Sequence, residues 1–286
     1  DARAQLQKAV KLAPEDYRPY LFLGQYYLAE EALFRLAYRY LLSAEKRFEK
    51  KFGSDRDNSL KPGAWREHAR LLALLADAKL NLDKYEKALA TLDRYGKRYW
   101  DTWYPGQSSW ILMKLRRLDD AILEAQSGLL RGAEPSKTYN ALGIFLSVKG
   151  QRKLSLQAFA KSIQAELKMG GGSQIATPLN NAGEVYSEIF QDDLAEASWL
   201  KALSLPDGCD HILPSLNLAR MYIDQLRLFR AERVLNDFEA CFSSHSLRSD
   251  TEHRTLLALF RGRIALRKGE VDKAIEHLSK AAEQRQ

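Results

Sequence analysis

The sequence predicts an all-α solenoid of antiparallel helix pairs, and two observations carry this prediction. In residues 139–146, key side chains recur at positions i, i+3, i+4 and i+7, which mark one face of a helix. A second segment repeats such a face at Ser155 and Phe159, and a short polar turn around Gly150 separates the two segments. Because a single helix pair cannot bury this face, it needs copies of itself.

The copies follow in the sequence. Seven key positions are separated by 3, 1, 3, 9, 4 and 3 residues, and this spacing occurs three times in succession. Small residues such as Gly143 stand where two helices must approach closely, and large ones such as Phe159 fill the space beside them. The three sets are Tyr139, Leu142, Gly143, Leu146, Ser155, Phe159 and Ser162; Leu179, Ala182, Gly183, Tyr186, Ala195, Trp199 and Ala202; and Ser215, Leu218, Ala219, Tyr222, Ala231, Leu235 and Phe238.

This unit resembles the tetratricopeptide repeat, whose pattern is a large residue, Leu, Gly and Tyr, then Ala, Phe, Ala and a closing Pro. The resemblance implies a right-handed superhelical solenoid in which the first helix of each pair lines the concave surface. It also implies a scaffold that binds other proteins, without indicating which ones.

In chain order, we predict one solenoid over residues 1–286. Residues 2–14 fit the second helix of a leading half-repeat, and residues 52–63 predict a loop because they are rich in Gly, Pro, Asp and Ser. The third pair matches least well, with Pro105 and Ser109 at signature positions. The pairs are expected near residues 17–51, 64–97, 103–131, 136–167, 176–206, 212–242 and 251–285.

The charge of the chain is unevenly distributed. The net charge is +7, and residues 1–100 carry 20 Lys and Arg against 14 Asp and Glu. This basic third of the chain is compatible with a nucleic acid or an acidic partner. The basic residues alternate with acidic ones at helical spacing, which is also typical of an ordinary solvated surface.

Other features restrict the class of protein. No apolar run approaches the roughly 18 residues of a membrane helix, and no signal segment opens the chain. The start at Asp1, without a methionine, predicts a domain excised from a longer chain or a mature form. The sequence contains no nucleotide-binding glycine loop, serine-hydrolase elbow or zinc-protease motif. We therefore expect no enzymatic activity, no cofactor and no metal.

Cys209 and Cys241 flank the sixth pair, at the same end of an antiparallel hairpin. Three states are open for them. Two free thiols are the leading expectation and would fit the cytoplasm; a disulfide would indicate the periplasm or the exterior. His211 and His245 are close enough in sequence to complete a zinc site, although the spacings match no zinc module.

Six aromatic residues are concentrated between Tyr95 and Trp110, where the repeat pattern is weakest. They either fill a poorly packed junction or form a pocket for a partner side chain, since Trp and Tyr are typical interface anchors.

The groove-facing residues follow from the helical period. Residues on the first helices that point away from the core stripe should line the concave surface. Asn is frequent among them, and its amide can pair with an extended peptide backbone of any sequence. Asn181 and Asn217 occupy the same position in adjacent repeats, which resembles the asparagine ladder of O-linked N-acetylglucosamine transferase; a merely polar helix face is the alternative. The expected groove residues are Arg18, Gln25, Arg70, Asp77, Trp103, Trp110, Asn140, Asn180, Asn181, Glu184, Asn217 and Arg220, together with Lys137 and Asp224.

We therefore predict a protein–protein interaction scaffold or adaptor that holds a peptide segment or a partner helix in this groove. The carboxylate clamp of chaperone-binding members needs Lys and Asn at positions 5 and 9 of one repeat, and no repeat here has both. The second hypothesis is a ligand- or partner-sensing regulatory domain, as in MalT-like transcription activators. The third is nucleic-acid binding through the basic N-terminal third, which would be strongly salt-dependent.

Overall fold

The computed structural model describes residues 2–56, 59–99, 101, 103–206, 211–244 and 251–283. Within these residues the regular secondary structure is entirely helical. The chain divides into two compact units, unit 1 (residues 1–134) and unit 2 (residues 135–286). The predicted all-α architecture of antiparallel helix pairs is confirmed, whereas a single solenoid over residues 1–286 stays a prediction.

Unit 1 begins with one helix, which three helix pairs follow. The two helices of each pair pack against each other across a short turn. Phe48, Leu72 and Leu92 are among the side chains that fill its core. The helices are α1 (Ala2–Leu12), α2 (Tyr17–Ala29), α3 (Phe34–Phe52), α4 (Trp65–Leu80), α5 (Tyr85–Tyr99), α6 (Tyr104–Lys114) and α7 (Leu118–Leu130), with a short 3-10 helix at Pro62–Ala64.

Unit 2 contains four helix pairs, and here too the two helices of a pair pack on each other. Its core is filled by Phe145, Phe159, Trp199 and Leu218, which are all fully buried. The helices are α8 (Pro135–Val148), α9 (Arg152–Lys168), α10 (Ala176–Glu188), α11 (Asp192–Leu203), α12 (Ile212–Asp224), α13 (Leu228–Ser244), α14 (Thr251–Lys268) and α15 (Val271–Glu283), with a short 3-10 helix at Ser173–Ile175.

Glycines lie where the helices of a pair approach most closely. A Cβ at Gly143 would lie 2.4 Å from the ring of Phe159, and one at Gly183 would lie 2.5 Å from Nε1 of Trp199. The Ser155 hydroxyl donates a hydrogen bond to the carbonyl oxygen of Gly143 at 2.7 Å. These contacts confirm the predicted matching of small and large residues in these two pairs.

Each pair turns from its first helix to its second through one residue with a positive φ. Glycine favours this conformation because it has no Cβ. Only two of the seven pairs have glycine there. The residues are Ala32, Asp83, Arg116, Gly150, Phe190, Leu226 and Gly269.

A charged cluster fixes the predicted loop after α3, of which residues 57 and 58 lie outside the described part. The Asp55 side chain in the loop is only 7% exposed, and its carboxylate forms an ion pair with Nη2 of Arg94 on α5 at 2.5 Å. Nη1 of Arg94 also pairs with Glu45 on α3 at 2.9 Å. His68 Nε2 lies 3.3 Å from Asp55 Oδ1, without the alignment of a hydrogen bond. Three helices and the loop are thereby joined.

The expectation of a free thiol is wrong for Cys241, which is disulfide-bonded. No free cysteine occurs in the part of the chain that the structure describes. Cys209, the other cysteine of the sequence, lies outside the described residues, as does His245. The physical reason for a disulfide is that an antiparallel hairpin brings the start of its first helix and the end of its second helix to the same edge.

We expect mass spectrometry of the unreduced protein to show a loss of two hydrogen atoms and thiol titration to show no free group. Reduction should destabilise unit 2 by about 2–4 kcal/mol, because a cross-link restricts the unfolded chain. Two titratable thiols in the native, unreduced protein would contradict this. Because disulfides persist in oxidising compartments, we propose that the protein is located in the periplasm or outside the cell.

Candidate functional site

The candidate site is the surface formed by the first helices of the pairs. We call it the first-helix face and describe it separately in each unit. In unit 2 the first helices α8, α10 and α12 are neighbours, and α12 also adjoins α14. In unit 1, α2 and α4 are neighbours.

In unit 2 the predicted Asn residues form one hydrogen-bonded network across three first helices. The Asn181 amide on α10 donates to Oδ1 of Asn140 on α8 at 3.0 Å. The Asn217 amide on α12 donates to Oδ1 of Asn180 at 3.0 Å and to Oε1 of Glu184 at 2.8 Å. Asn180 itself donates to Glu184 at 3.0 Å and to Oδ1 of Asn181 at 3.4 Å. Sequence reasoning placed these residues on one face, and the structure joins them.

The network leaves some of its polar atoms without an intramolecular partner among the described residues. An amide group has two donor hydrogens and one acceptor oxygen. Both Asn140 hydrogens and one Asn181 hydrogen remain available at the α8 side. At the α12 side, Oδ1 of Asn217 and Oε2 of Glu184 remain available as acceptors. The face therefore offers donors at one end and acceptors, one of them charged, at the other.

Asn180 differs from the sequence-based expectation because its side chain is buried. Its amide supports Asn181, Asn217 and Glu184 instead of facing solvent. Asn181 and Asn217 consequently do not bond to each other but are joined through Asn180. Arg220 is exposed on the same helix as Asn217. The helical period alone does not indicate which amide lies inside the cluster.

A cavity of about 440 Å³ lies beside the network in unit 2. Asn140 borders it, together with Lys137, Thr177 and His211. Sequence reasoning selected Asn140 and Lys137 but not Thr177 or His211. His211 precedes α12 in a loop, where no helical period identifies the side that faces the groove.

In unit 1 the first-helix face is held by contacts between α2 and α4. The Arg70 guanidinium donates to the Gln25 side chain and lies 4.9 Å from the centre of the Phe22 ring. Arg18 is exposed and pairs with Asp16 at 2.7 Å, at the start of α2. Of the predicted residues, the structure brings Gln25 and Arg70 together, and Arg18 is engaged locally.

Asp77 on α4 is half-buried, and no cation lies within ion-pair distance among the described residues. Burial raises the pKa of Asp77 to about 6, because it disfavours the charged form. The folded protein therefore holds this proton more tightly than the unfolded chain does. The stability that protonation contributes is present at low pH and is lost as the pH rises through about 6.

We expect Asp77→Asn to stabilise unit 1 by about 1–3 kcal/mol at pH 8, since the amide mimics the protonated acid. At pH 4 the gain should disappear, because the wild-type carboxyl is then already neutral. Denaturant unfolding at the two pH values measures the difference. An equal effect at both values would show that Asp77 is not held in a desolvating site.

Trp103 and Trp110 lie at the aromatic-rich start of the third pair. Trp103 packs edge-on against Tyr95, with ring centres 5.3 Å apart, and joins the core cluster around Leu92 and Ile111. Both tryptophans are half-buried. Trp100 lies outside the described residues. The packing of Trp103 follows the interpretation of the aromatic residues as a junction filler.

No group of three His, Cys, Asp or Glu side chains is arranged to hold a metal ion within the described part of the chain. None of the described helices has the length and apolar character needed to cross a membrane.

No protein-family profile matches this sequence, and no curated protein matches it either. Solved structures do match. A tetratricopeptide repeat protein from Parabacteroides merdae is 14% identical with a TM-score of 0.61, and the match covers 94% of this chain and 93% of that one. The C-terminal part of a TPR repeat-containing protein from Cytophaga hutchinsonii is 16% identical with a TM-score of 0.54, covering 94% and 95%.

A third match is a chain of the APC/C hetero-tetramer Cut9–Hcn1, 14% identical with a TM-score of 0.57. It covers 98% of this chain and 46% of that one. At these identities the matches show the fold. The chain therefore has the tetratricopeptide-repeat fold, as the sequence predicted.

Proposed function

We propose that this chain is a protein–protein interaction scaffold and that the first-helix face of unit 2 binds an extended segment of a partner. The observation that carries the proposal is the amide network on α8, α10 and α12. It fixes the orientation of several amides before any partner arrives, so less side-chain freedom is lost on binding.

The spare atoms of the network indicate how a segment would be held. The hydrogens of Asn140 and Asn181 suit carbonyl oxygens, and the oxygens of Asn217 and Glu184 suit N–H groups or a cationic side chain. A peptide backbone presents both kinds of group at regular intervals. The likeness to a chain of the Cut9–Hcn1 hetero-tetramer agrees with a role in protein assembly.

The test removes the two outer amides with Asn140→Ala and Asn181→Ala together. Each neutral hydrogen bond contributes about 1 kcal/mol, so affinity for a partner should fall about tenfold to thirtyfold. The partner is first identified by pull-down with the whole chain and then titrated by calorimetry. Gln157→Ala on α9 is the matched control, since it removes an exposed amide from a second helix. A double variant whose affinity stays within twofold of the wild type would contradict binding at the first-helix face of unit 2.

Asn217 needs a different experiment because it is half-buried and supports the network as well as facing the groove. Asn217→Ala would leave the buried Oδ1 of Asn180 without its donor, which costs about 1–3 kcal/mol of stability. A loss of binding in this variant therefore counts only if the folded fraction is measured in parallel. The pair Asn140 and Asn181 is less ambiguous, because the buried Asn180 amide then loses only a long hydrogen bond of 3.4 Å to Asn181. The folded fraction is measured for this variant as well.

The regulatory alternative, a sensing domain of a larger protein, remains a hypothesis about the same fold. It would place a ligand at the aromatic cluster near Trp103. The variant with Asn140→Ala and Asn181→Ala distinguishes the two hypotheses, because Asn140 and Trp103 lie in different units. It should weaken the binding of a partner at the first-helix face of unit 2 but not the binding of a ligand at Trp103. Nucleic-acid binding through the basic N-terminal third would show as a steep loss of affinity with salt.

A further inference from the structure

The two middle pairs of unit 2 have large apolar residues at the turn position with positive φ. Phe190 has a φ of +59° and Leu226 a φ of +58°, whereas the first and last pairs of the unit have Gly150 and Gly269 there. A bulky side chain is disfavoured in this conformation. The positive φ at Phe190 and Leu226 therefore carries a backbone strain that some other interaction has to offset.

Burial within the fold does not supply that gain. The Phe190 side chain is 91% exposed and Leu226 is 64% exposed. Phe229, near the start of the second helix α13, is 78% exposed. These side chains therefore contribute little to the hydrophobic core and face the solvent.

The two turns lie side by side at one edge of unit 2. The Gln225 side chain donates to Oδ2 of Asp192 at 2.9 Å, which ties the turn of one pair to that of the next. Nη1 of Arg227 pairs with Oε2 of Glu196 at 2.9 Å across the same junction. We call Phe190, Leu194, Leu226 and Phe229 the turn patch.

The charges around the turn patch indicate what kind of surface fits it. Asp192 and Asp193 are exposed and have no ion-pair partner among the described residues. Glu188 is paired with Arg152 at 2.9 Å. Arg227 and Arg230 share the single carboxylate of Glu196, so one positive charge remains in excess beside Leu226. The uncompensated charge beside Phe190 comes from Asp192 and Asp193 and is negative.

We propose that the turn patch is a second docking surface, which inserts Phe190 and Leu226 into an apolar pocket on a protein partner, with Lys or Arg side chains of that partner beside Asp192 and Asp193. A second copy of this chain is the competing occupant, and the sedimentation measurement below distinguishes it. An anionic lipid surface is disfavoured by the same carboxylates. The proposal is independent of the groove, since it uses the edge of unit 2 and not its first-helix face.

The test uses a display library of a small folded scaffold randomised on one concave face and selected against the wild-type protein. Binders are then measured against the double variant Phe190→Gly, Leu226→Gly. Glycine is the residue of the two sister turns, so this variant should fold and melt no lower than the wild type. A second variant, Phe190→Asn with Leu226→Asn, keeps a side chain that tolerates a positive φ.

The dominant binders should lose about tenfold or more in affinity for both turn variants, as expected for anchor residues. They should also carry an excess of Lys and Arg at the randomised positions. The control Leu200→Ala, Leu213→Ala removes two exposed leucines elsewhere in unit 2 and should leave affinity unchanged.

The proposal fails if the dominant binders keep their affinity for the turn variants, lose it equally on the control, or carry an excess of Asp and Glu. Sedimentation analysis adds an independent check. The wild type should not self-associate through this edge. A wild-type dimer that the turn variants dissociate would overturn the proposed partner in favour of a second copy.

Discussion

Replacing Arg94 by alanine is expected to destabilise unit 1 by about 3–5 kcal/mol, because it leaves buried charges without their partner. Arg94 pairs with Asp55 at 2.5 Å and with Glu45 at 2.9 Å. Burial raises the pKa of Asp55, but contacts with His68 and Arg94 outweigh it and hold that pKa well below its usual range. Without Arg94, two carboxylates would remain desolvated and close together.

Denaturant unfolding with separate probes for the two units measures the effect. The control is Arg56→Ala, which also removes a partner of Glu45 but from a side chain that is 54% exposed. A pair of that kind contributes about 1 kcal/mol or less. An equal loss of stability in Arg94→Ala and Arg56→Ala would show that the ion pairs of Arg94 are as solvated as those at the surface.

The same cluster predicts a sensitivity to acid. Because the pKa of Asp55 is lower in the folded protein, its contribution is present above the unfolded value near 3.9 and is lost as the pH falls below it. The acid-induced loss of stability in unit 1 should shrink in Arg94→Ala. An unchanged pH profile would contradict the role given to Asp55.

Replacing Trp199 by alanine should cost unit 2 about 3–5 kcal/mol, the range for removing a large core aromatic residue. Trp199 is fully buried, and its indole N–H donates to the backbone carbonyl of Asn180 at 3.2 Å. Its ring occupies the space beside Gly183, where a Cβ would lie 2.5 Å from Nε1. Truncation would leave a cavity that α10 and α11 cannot close without moving.

Trp199→Phe is the matched control. It keeps most of the volume but loses the hydrogen bond to Asn180, so we expect a cost of about 1–2 kcal/mol from these two changes. Calorimetric melting compares the two variants. If Trp199→Ala and Trp199→Phe lower the stability equally, the volume of the ring does not account for the stabilising contact between α10 and α11.

The sequence determined that the chain folds into repeated helix pairs, because their core faces follow a fixed period. Gly143 and Phe159 illustrate this. A small and a large residue at matching positions identify a close contact from the sequence alone. The loop after Phe52 was also predicted, because Gly, Pro, Asp and Ser favour turns over helices.

Other features depended on groups that are distant in the sequence. Asp55 looked like an ordinary loop residue, yet it pairs with Arg94, which is 39 positions away. Asn180 was expected at the surface, but the packing of α12 buries it against Asn217. The state of Cys241 was open for the same reason, because sequence separation does not fix the distance between two side chains.

By itself, the sequence determined the all-α class and the repeat unit, and it predicted a face of each first helix that lies away from the core. These follow from local periodicity, which every residue in a helix obeys. Only the tertiary structure decided which polar groups on that face are satisfied internally and which remain available. It also decided that Phe190 and Leu226 are exposed at a strained turn. Hydrogen bonds and burial depend on what approaches from other helices, and a one-dimensional pattern does not contain that information.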